Sequence, residues 1–462
     1  MELRILPTFP SASSAHGECV KIQNPFRAWR LSKGLWIVNY LRGSERKTAL
    51  FSAYPQKICA VNSSRMRVCY LQFDYRIDSR AMPSLPYWRL SGFYFFYFAF
   101  IGAFSPYWSL YLQSLSFSAL QIGVLMSLLL VARIFSPAVW GWLADHTGKR
   151  ARVVQVAAVS GFLSFCGFFA GESFAWIFFV MLLMSFFWSA SLPLMEAITL
   201  SHLENATDKY GRIRSWGSVG FVLAVVGIGY LLEIVEIAWL LWVVLGLKLG
   251  IVIFSYHIPE KEVMRHTAGL HSVLQICLRP EVTAFLLSSL LMLFAHGAYY
   301  TFFSIYLVEH GYDKGFVGWL WATGVICEIG IFFIMPWLMR YFRLKAMLIF
   351  SFVCAMLRFV LIGQYADWPV MIVFAQILHA ATYGAHHIAA MMVIHQFFQG
   401  RHQAKGQAIY TSAAYGVGGA LGAVCSGYTW DWLGAEITFL ISAAAALAGL
   451  VLTAWKMSSF NH

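Results

Sequence analysis

Charged side chains are scarce in this chain of 462 residues: 12% of them are Asp, Glu, Lys or Arg, whereas 60% are hydrophobic and 17% are aromatic. A soluble domain carries about 25% charged residues, because polar groups must cover the surface that faces water. Half of that proportion is too little for a water-exposed globule of this length. The shortage argues against a soluble enzyme and predicts a chain that is solvated largely by lipid.

Signatures of metal sites, disulfide frameworks and nucleotide chemistry are also missing. The eight cysteines include no C-x-x-C pair and no Cys/His cluster at zinc spacing. The sequence contains no G-x-x-x-x-G-K-[ST] loop, no H-E-x-x-H and no G-x-S-x-G. We therefore expect no metal and no cofactor, and neither ATP-driven transport nor the common hydrolytic reactions.

The basic charge is unevenly distributed. The chain has 33 basic and 21 acidic residues, a formal net charge of +12, and residues 1–81 hold 13 of the basic and 5 of the acidic ones. This extension has no apolar run that could span a bilayer and no signal-peptide pattern. It is expected to be a disordered basic arm or a nucleic-acid patch or, as the preferred interpretation, a misassigned start before a true first residue at Met82. The nearly neutral remainder argues against nucleic acid as a partner.

Apolar stretches of about 20 residues recur from Pro86 onward, each long enough to cross a hydrocarbon core of about 30 Å. We predict an all-α membrane protein with twelve transmembrane helices near 87–112, 119–143, 152–171, 174–200, 213–233, 237–256, 281–307, 316–338, 345–364, 369–398, 407–429 and 434–455.

Every second connection between these spans is basic. The alternate connections hold Lys314 as their one basic residue, together with eight acidic ones, whereas the basic connections hold Lys149, Arg150, Arg152, Lys209, Arg212, Arg214, Lys261, Arg265, Arg279, Arg340, Arg343, Lys345, Arg401 and Lys405. Because basic loops remain on the cytoplasmic side, this split of 14 to 1 predicts that both termini and the linker at 258–280 are cytoplasmic.

The sequence also repeats internally, without a gap, at an offset of 195 residues. The matches are Gly102-Ala103 with Gly297-Ala298, Ser109 to Leu112 with Ser304 to Leu307, Gly123 with Gly318, and Arg133 with Glu328. We predict two pseudo-symmetric six-helix bundles, residues 82–257 and 281–462, on either side of the linker. Parallel repeats of this kind place a substrate site near the bilayer midplane between the halves.

The connection between the second and third spans carries a G-x-x-x-D-x-x-G-[RK]-[RK] pattern, formed by Gly141, Asp145, Gly148, Lys149 and Arg150. Gly141 would allow a close helix approach, Asp145 would cap or pair at a helix end, and the basic pair would anchor the loop on the cytoplasmic side. This segment resembles the cytoplasmic signature of the major facilitator superfamily.

Four further segments are similar to the 3-phenylpropionate permease group of that superfamily, which is related to lactose permease and to nucleoside:proton symporters. They are 130–135, 210–218, 295–300 and 376–379, with His387 to Met391 beyond the last. The resemblance implies a proton-coupled symporter of a small organic solute, favouring an aromatic acid such as phenylpropionate. It also implies a bacterial inner membrane protein that works as a monomer and draws its energy from the proton gradient.

A charge at the bilayer centre costs about 2.5–3.5 kcal/mol on insertion scales, so each one needs a reason. The sequence places Arg133, Glu196, Lys248, Glu328 and Arg358 within spans. One interpretation pairs Arg133 with Glu196 and Glu328 with Arg358 as static salt bridges. In the other, at least one carboxylate carries the coupled proton, with Glu328 preferred over Glu196. Lys248 lies near a span end, where its amine could reach the membrane surface, and receives no role.

Polar and aromatic stripes mark a candidate substrate cavity, because the resemblance implies that the first, fourth, seventh and tenth spans line it. The tenth span presents Gln376, His379, Tyr383 and His387 on one helical face, flanked by His386, and the seventh presents His296, Tyr299, Tyr300 and Phe303. The first span offers Tyr94, Tyr97, Phe98, Ile101 and Trp108, which would suit a ring-bearing substrate.

Small residues at Ala414, Gly418, Gly422 and Ser426 recur at every fourth position of the eleventh span, a pattern that allows tight helix contact.

Secondary active transport by alternating access is the leading function. Efflux and nucleoside or sugar transport on the same fold remain alternatives. A membrane enzyme and a transport-like receptor are further ones.

Overall fold

The computed structural model describes five short strands by their backbone and residues 85–203, 208–260 and 271–456 beyond them. The strands are β1 Trp29–Ser32, β2 Leu35–Arg42, β3 Glu45–Ser52, β4 Gln56–Ala60 and β5 Val68–Gln72. β1 to β3 form one antiparallel sheet and β4 with β5 another, in a unit that is separate from Leu85–His462. These strands differ from the disordered arm expected there, and the misassigned start stays a prediction. Met82, linker residues 261–270 and both termini lie outside the described residues.

The described residues of the second unit form twelve long helices, with a short helix, His271–Cys277, in the linker. They are α1 Tyr87–Ser114, α2 Ala119–Thr147, α3 Arg150–Phe169, α4 Phe174–Leu203, α5 Asp208–Ile234, α6 Trp239–Tyr256, α7 Pro280–Glu309, α8 Lys314–Tyr341, α9 Leu344–Gln364, α10 Pro369–Phe397, α11 Gln403–Leu433 and α12 Ala435–Lys456. Within the described residues, the eleven from α2 to α12 are long and apolar enough to span a membrane.

Helix α1 has the length of a membrane span, 28 residues or about 42 Å, but a more polar composition. Five tyrosines and two tryptophans lower its mean hydropathy. Most of these rings are buried against neighbouring helices, so α1 is an interior helix of the bundle. With α1 included, the predicted twelve-helix fold is confirmed.

The repeat in the sequence is also a repeat in the packing. The offset of 195 residues carries α1 onto α7 and α2 onto α8. Gly102 of α1 meets the α5 backbone, and its equivalent Gly297 of α7 meets that of α11. Gly123 of α2 packs on α11, and its equivalent Gly318 of α8 packs on α5. A Cβ atom at any of the four would lie less than 3.0 Å from a neighbouring atom, so these close approaches require glycine.

The row of small residues on α11 packs as its spacing predicts. Gly418 lies against the backbone of Leu290 in α7, and Gly422 lies against that of Phe294 one turn further along. Larger side chains would push α11 away from α7.

The two halves are joined on the side of the membrane that carries the acidic connections, here called the acidic side. Asp431, at the end of α11, accepts hydrogen bonds from the backbone N–H groups of Ala119 (3.1 Å) and Leu120 (2.9 Å) in the first turn of α2. Glu233, at the end of α5, accepts one from the N–H of Gly315 in the first turn of α8 (2.7 Å). These two carboxylate contacts, the acidic-side latches, are related by the pseudo-symmetry of the halves. Each places a negative charge at the positive end of a helix dipole.

The opposite side, which carries the basic connections, is called the basic side. A hydrogen bond from the Ser412 hydroxyl of α11 to the Ile134 carbonyl oxygen (3.4 Å) joins the halves halfway along α2. Beyond it, Trp142 in α2 and Phe333 in α8 are 66% and 82% exposed. In the part of the chain that the structure describes, the acidic-side latches and this mid-depth contact thus join the two halves.

Candidate functional site

A buried ion-pair network lies at mid-depth in the second half. Glu328 of α8 and His379 of α10 are 13% and 6% exposed, and Glu328 Oε1 lies 2.8 Å from His379 Nε2. Arg358 of α9 is fully buried, donates from Nε to the Ala375 carbonyl oxygen (3.1 Å) and lies 4.0 Å from the Tyr299 ring centre. The proposed direct pair of Glu328 with Arg358 is therefore wrong in this structure, because the imidazole of His379 occupies the place beside the carboxylate.

A second set of hydrogen bonds holds the surrounding side chains of α7 and α10. The Tyr299 hydroxyl donates to Gln376 Oε1 (3.0 Å). His296 lies between the Met292 carbonyl oxygen, 2.8 Å from Nδ1, and the Thr382 hydroxyl, 3.3 Å from Nε2. His296, Tyr299 and Gln376 are all fully or almost fully buried. The two polar stripes predicted from the sequence thus face each other around the network.

Two π-helical turns interrupt the helices beside this network, at Ala380–Ala385 in α10 and Thr411–Gly418 in α11. Tyr383 stands in the first turn and Tyr415 in the second, with their ring centres 6.2 Å apart in a T-shaped contact. His387 Nδ1 lies 3.0 Å from the Tyr415 hydroxyl. Single π-helical turns of this kind occur often at functional sites, because the extra residue redirects the side chains that follow.

In the first half, Glu196 of α4 pairs with Arg214 of α5. Glu196 Oε1 lies 3.9 Å from Arg214 Nε, and the two side chains are 39% and 30% exposed. The Arg214 guanidinium lies 3.9 Å from the centre of the Phe98 ring. The expected pair of Glu196 with Arg133 is therefore wrong. Because α4 ends at Leu203, Glu196 lies nearer to the basic side than to the membrane centre.

Arg133 stands at mid-depth on α2, half-buried. Its guanidinium lies 5.8 Å from the centre of the Trp188 ring, and Trp188 stacks on Tyr97 at 5.1 Å with 5° between the ring planes. Tyr94 shares a hydrogen bond with Thr199 (3.1 Å). Tyr94 and Tyr97 are both buried within their own half.

Two expectations for the first half are wrong. Trp108 is fully buried and stacks on Phe104 (4.6 Å), inside the bundle rather than along the cavity. Lys248 is 3% exposed, and its ammonium lies 4.4 Å from the Phe100 ring centre, beside Gly161. Its amine points into the bundle instead of reaching the membrane surface.

The loop motif after α2 adopts part of the expected structure. Arg150 donates to Asp145 (2.9 Å), and Gly148 ends α2 with a φ of 67°, a left-handed conformation that favours glycine. The expected close helix approach at Gly141 is wrong here, because nothing lies within 4 Å of a Cβ placed there. Gly141 belongs to the last two turns of α2, at its basic-side end.

Three residues of the site were missed by the sequence reasoning. Arg214 counted only as a loop charge, although it is the partner of Glu196. Trp188 and Tyr415 stood in apolar or small-residue runs without a polar spacing to mark them. A cross-check of α4 and α11 for aromatic residues at mid-span would have found both.

The comparisons with known proteins agree on one family. The profile described as "MFS_1 like family" matches residues 87–441. The Escherichia coli (strain K12) protein "Probable 3-phenylpropionic acid transporter" is 30% identical over 369 residues, which cover 79% of this chain and 96% of that protein. "Nucleoside permease NupG" of the same organism is 23% identical over 345 residues, 68% of this chain and 80% of the permease. The crystal structure of nucleoside transporter NupG superposes with a TM-score of 0.70 at 20% identity, covering 81% of this chain and 99% of that one.

Proposed function

The chain belongs to the MFS_1 like family, and from that premise we propose that this secondary active transporter is a proton-coupled symporter that imports a small aromatic acid by alternating access. It is a membrane transporter and not an enzyme. The two finer parts of the proposal, the proton and the aromatic acid, rest on separate groups of residues.

The proton is assigned to the contact between Glu328 and His379, the observation that carries the proposal. The carboxylate is 13% exposed and bonded to an imidazole, so it has lost most of the water that would solvate its charge. Intramembrane acidic and histidine residues in such places commonly belong to proton pathways. Glu196, 39% exposed beside Arg214, has no comparable reason to exchange its proton during the cycle.

Arg358 gives the carboxylate a second stabilising charge. Its terminal nitrogens Nη1 and Nη2 have no hydrogen-bond acceptor among the described residues, and its charge acts on Glu328. We propose that protonated Glu328 bonds to His379, and that deprotonated Glu328 is held by attraction to Arg358. Moving the proton between the two sides then changes the packing of α8 against α9 and α10.

The substrate class is supported by the relative and by the cavity. The Escherichia coli relative carries 3-phenylpropionic acid in its name, and half-buried aromatic rings of Phe98, Tyr300 and Tyr383 come from both halves. Nucleoside transport is the second candidate, because the printed names of other relatives carry it. We favour the acid because Arg133 offers a cation at mid-depth, which a neutral nucleoside does not need.

The oligomeric state, the membrane and the orientation are proposed from the family and from the charges of the loops. We propose a monomer in a bacterial inner membrane, with both termini and the basic side in the cytoplasm. We propose that the structure, whose halves are joined by the acidic-side latches, corresponds to the inward-open state. The imposed or metabolic proton gradient supplies the energy, without a cofactor.

Uptake and exchange in proteoliposomes test the proton assignment. The Glu328→Gln variant keeps the side-chain volume and removes the titratable group. We expect it to lose accumulation of labelled 3-phenylpropionate against its gradient while retaining counterflow, which needs no net proton movement. Because the undissociated acid crosses lipid unaided, the rate in protein-free liposomes is subtracted.

Glu196→Gln is the matched control and is expected to retain accumulation. If Glu328→Gln accumulates the acid as the unsubstituted protein does, the proton assignment is wrong. Counterflow of a nucleoside but not of the acid in the unsubstituted protein would instead select the second candidate.

A further inference from the structure

We infer that Arg133 is the anion-binding residue of the substrate site, and that it receives the carboxylate of the transported acid. This inference rests on the proposed function and adds the residue that recognises the charged group. Arg133 was expected to belong to the same charge network as Glu196, and the geometry separates the two.

Arg133 is a cation that has no anionic partner. Among the residues that the structure describes, no carboxylate lies within 4.0 Å of its guanidinium, and the pair predicted for it, Glu196, is bonded to Arg214. The guanidinium carbon lies over the Trp188 ring, 5.8 Å from its centre. Charged residues within spans are paired, face a water-filled cavity or mark a substrate pathway, so an unpaired guanidinium at mid-membrane favours the binding of an anion during the cycle.

The other cations within the spans are unsuited to this task. Arg358 is fully buried beneath Tyr299, and Lys248 is enclosed by Phe100 inside the first half. Arg214 already has the carboxylate of Glu196. Arg133 is the half-buried cation at mid-depth, where a substrate that enters between the halves would reach it.

The position of Arg133 also fits a ligand that joins an acid to a ring. The residue that follows it, Ile134, accepts a hydrogen bond from Ser412 of α11, so Arg133 lies close to the boundary between the halves. A planar guanidinium binds a carboxylate through two parallel hydrogen bonds. With the carboxylate held there, an aromatic ring a few carbon atoms away would meet the half-buried ring of Tyr383 or Phe98.

Such a site would respond to the substrate in a specific way. Binding of the anion neutralises the charge of Arg133. It also links α2 to the aromatic side chain that contacts the ring of the substrate. A neutral analogue of the same shape gains the ring contact alone. Discrimination between acid and amide is therefore the property that Arg133 should control.

The experiment measures competition with counterflow of labelled 3-phenylpropionate by three unlabelled probes: the same acid, 3-phenylpropanamide and uridine. The unsubstituted protein is expected to prefer the acid over the amide at least about 10-fold, as the loss of a charge-assisted hydrogen bond implies. In Arg133→Gln, half-saturation for the acid should rise about 10- to 100-fold, while the amide changes less than about threefold. Arg133→Lys should keep part of the preference, because it keeps the charge.

Arg340→Gln, an exposed residue at the basic-side end of α8, is the matched control and should behave like the unsubstituted protein. If Arg133→Gln retains the preference for the acid, the inference is overturned while the proposed function stands. If the unsubstituted protein does not exchange the acid at all, the proposed substrate class fails and the inference fails with it. If Arg133→Gln does not fold, an undiminished acid preference in Arg133→Lys, or an equal response of the unsubstituted protein to acid and amide, would overturn it.

Discussion

The single residues of this protein include two kinds of buried charge. Glu328 and His379 are in contact at 2.8 Å, so the loss of His379 leaves a buried carboxylate without its partner. Lys248 lies among aromatic rings instead, with its ammonium 4.4 Å from the Phe100 ring centre. The first kind can be used in a cycle of protonation, whereas the second has no carboxylate within ion-pair distance among the described residues.

This difference predicts opposite effects on stability. Replacing a buried ion by an apolar side chain of similar volume is often neutral or stabilising, by about 1–4 kcal/mol, whereas breaking a buried pair costs about 3–5 kcal/mol. Lys248→Met should therefore leave the thermal unfolding temperature of the detergent-purified protein unchanged or raise it. His379→Leu should lower it, because the buried Glu328 then loses its partner. A large drop for Lys248→Met would mean that its amine has a stabilising partner.

The candidate charges could be predicted from the sequence, but their partners could not. The cost of a charge inside lipid identified Glu328, Arg358 and Arg133. Partner choice depends on which helices are neighbours and on how each helix is rotated, and the pattern of one span contains neither. Glu196 shows the consequence: its partner Arg214 lies on the next span and was counted with the loop.

At the scale of helices, the interruptions of α10 and α11 were not predicted. Both segments were expected to be continuous spans, and each contains a π-helical turn. The apolar and small residues in the turns are compatible with either helix type, because the difference of one residue per turn arises from tertiary packing. The stripe of Gln376, His379, Tyr383 and His387 therefore crosses a π-helical turn rather than following one regular helix.

The acidic-side latches carry the prediction at this scale. Asp431 and Glu233 each hold the first turn of a helix in the opposite half. A carboxylate at a helix N-terminus contributes about 0.3–1 kcal/mol, and each lost hydrogen bond to a charged group about 1.5–3 kcal/mol. The double variant Asp431→Asn, Glu233→Gln should therefore shift the population toward the state that is open on the acidic side.

Pulsed electron paramagnetic resonance can measure that shift. Spin labels at Glu172→Cys and Gln364→Cys, both exposed at the acidic-side ends of their halves, should show a longer distance in a larger fraction of the double variant. Glu436→Gln, an exposed carboxylate at the start of α12, is the control and should leave the distribution unchanged. An unaltered distribution in the double variant would contradict a role for the latches in closure.

At the scale of the whole molecule, the architecture followed from three sequence patterns: recurrent apolar runs, alternating loop charge and the offset of 195 residues. The packing of Gly102 and Gly297 at equivalent places bears out the last of these. The state of the molecule could not be predicted, because both the inward-open and the outward-open states bury nearly the same residues within each half. The closed acidic side became visible only through contacts such as Glu233 to Gly315, which join the halves.

The central claim, that substrate and proton move together, is tested most directly by measuring both fluxes in the same vesicles. Proteoliposomes carrying a pH-sensitive dye inside receive external 3-phenylpropionate without an imposed gradient, and protein-free liposomes report the unaided entry of the undissociated acid. We predict that the unsubstituted protein acidifies the lumen faster than protein-free liposomes, in proportion to labelled uptake, and that Glu328→Gln adds nothing to the protein-free rate. Protein-dependent uptake of label without protein-dependent acidification would contradict the account.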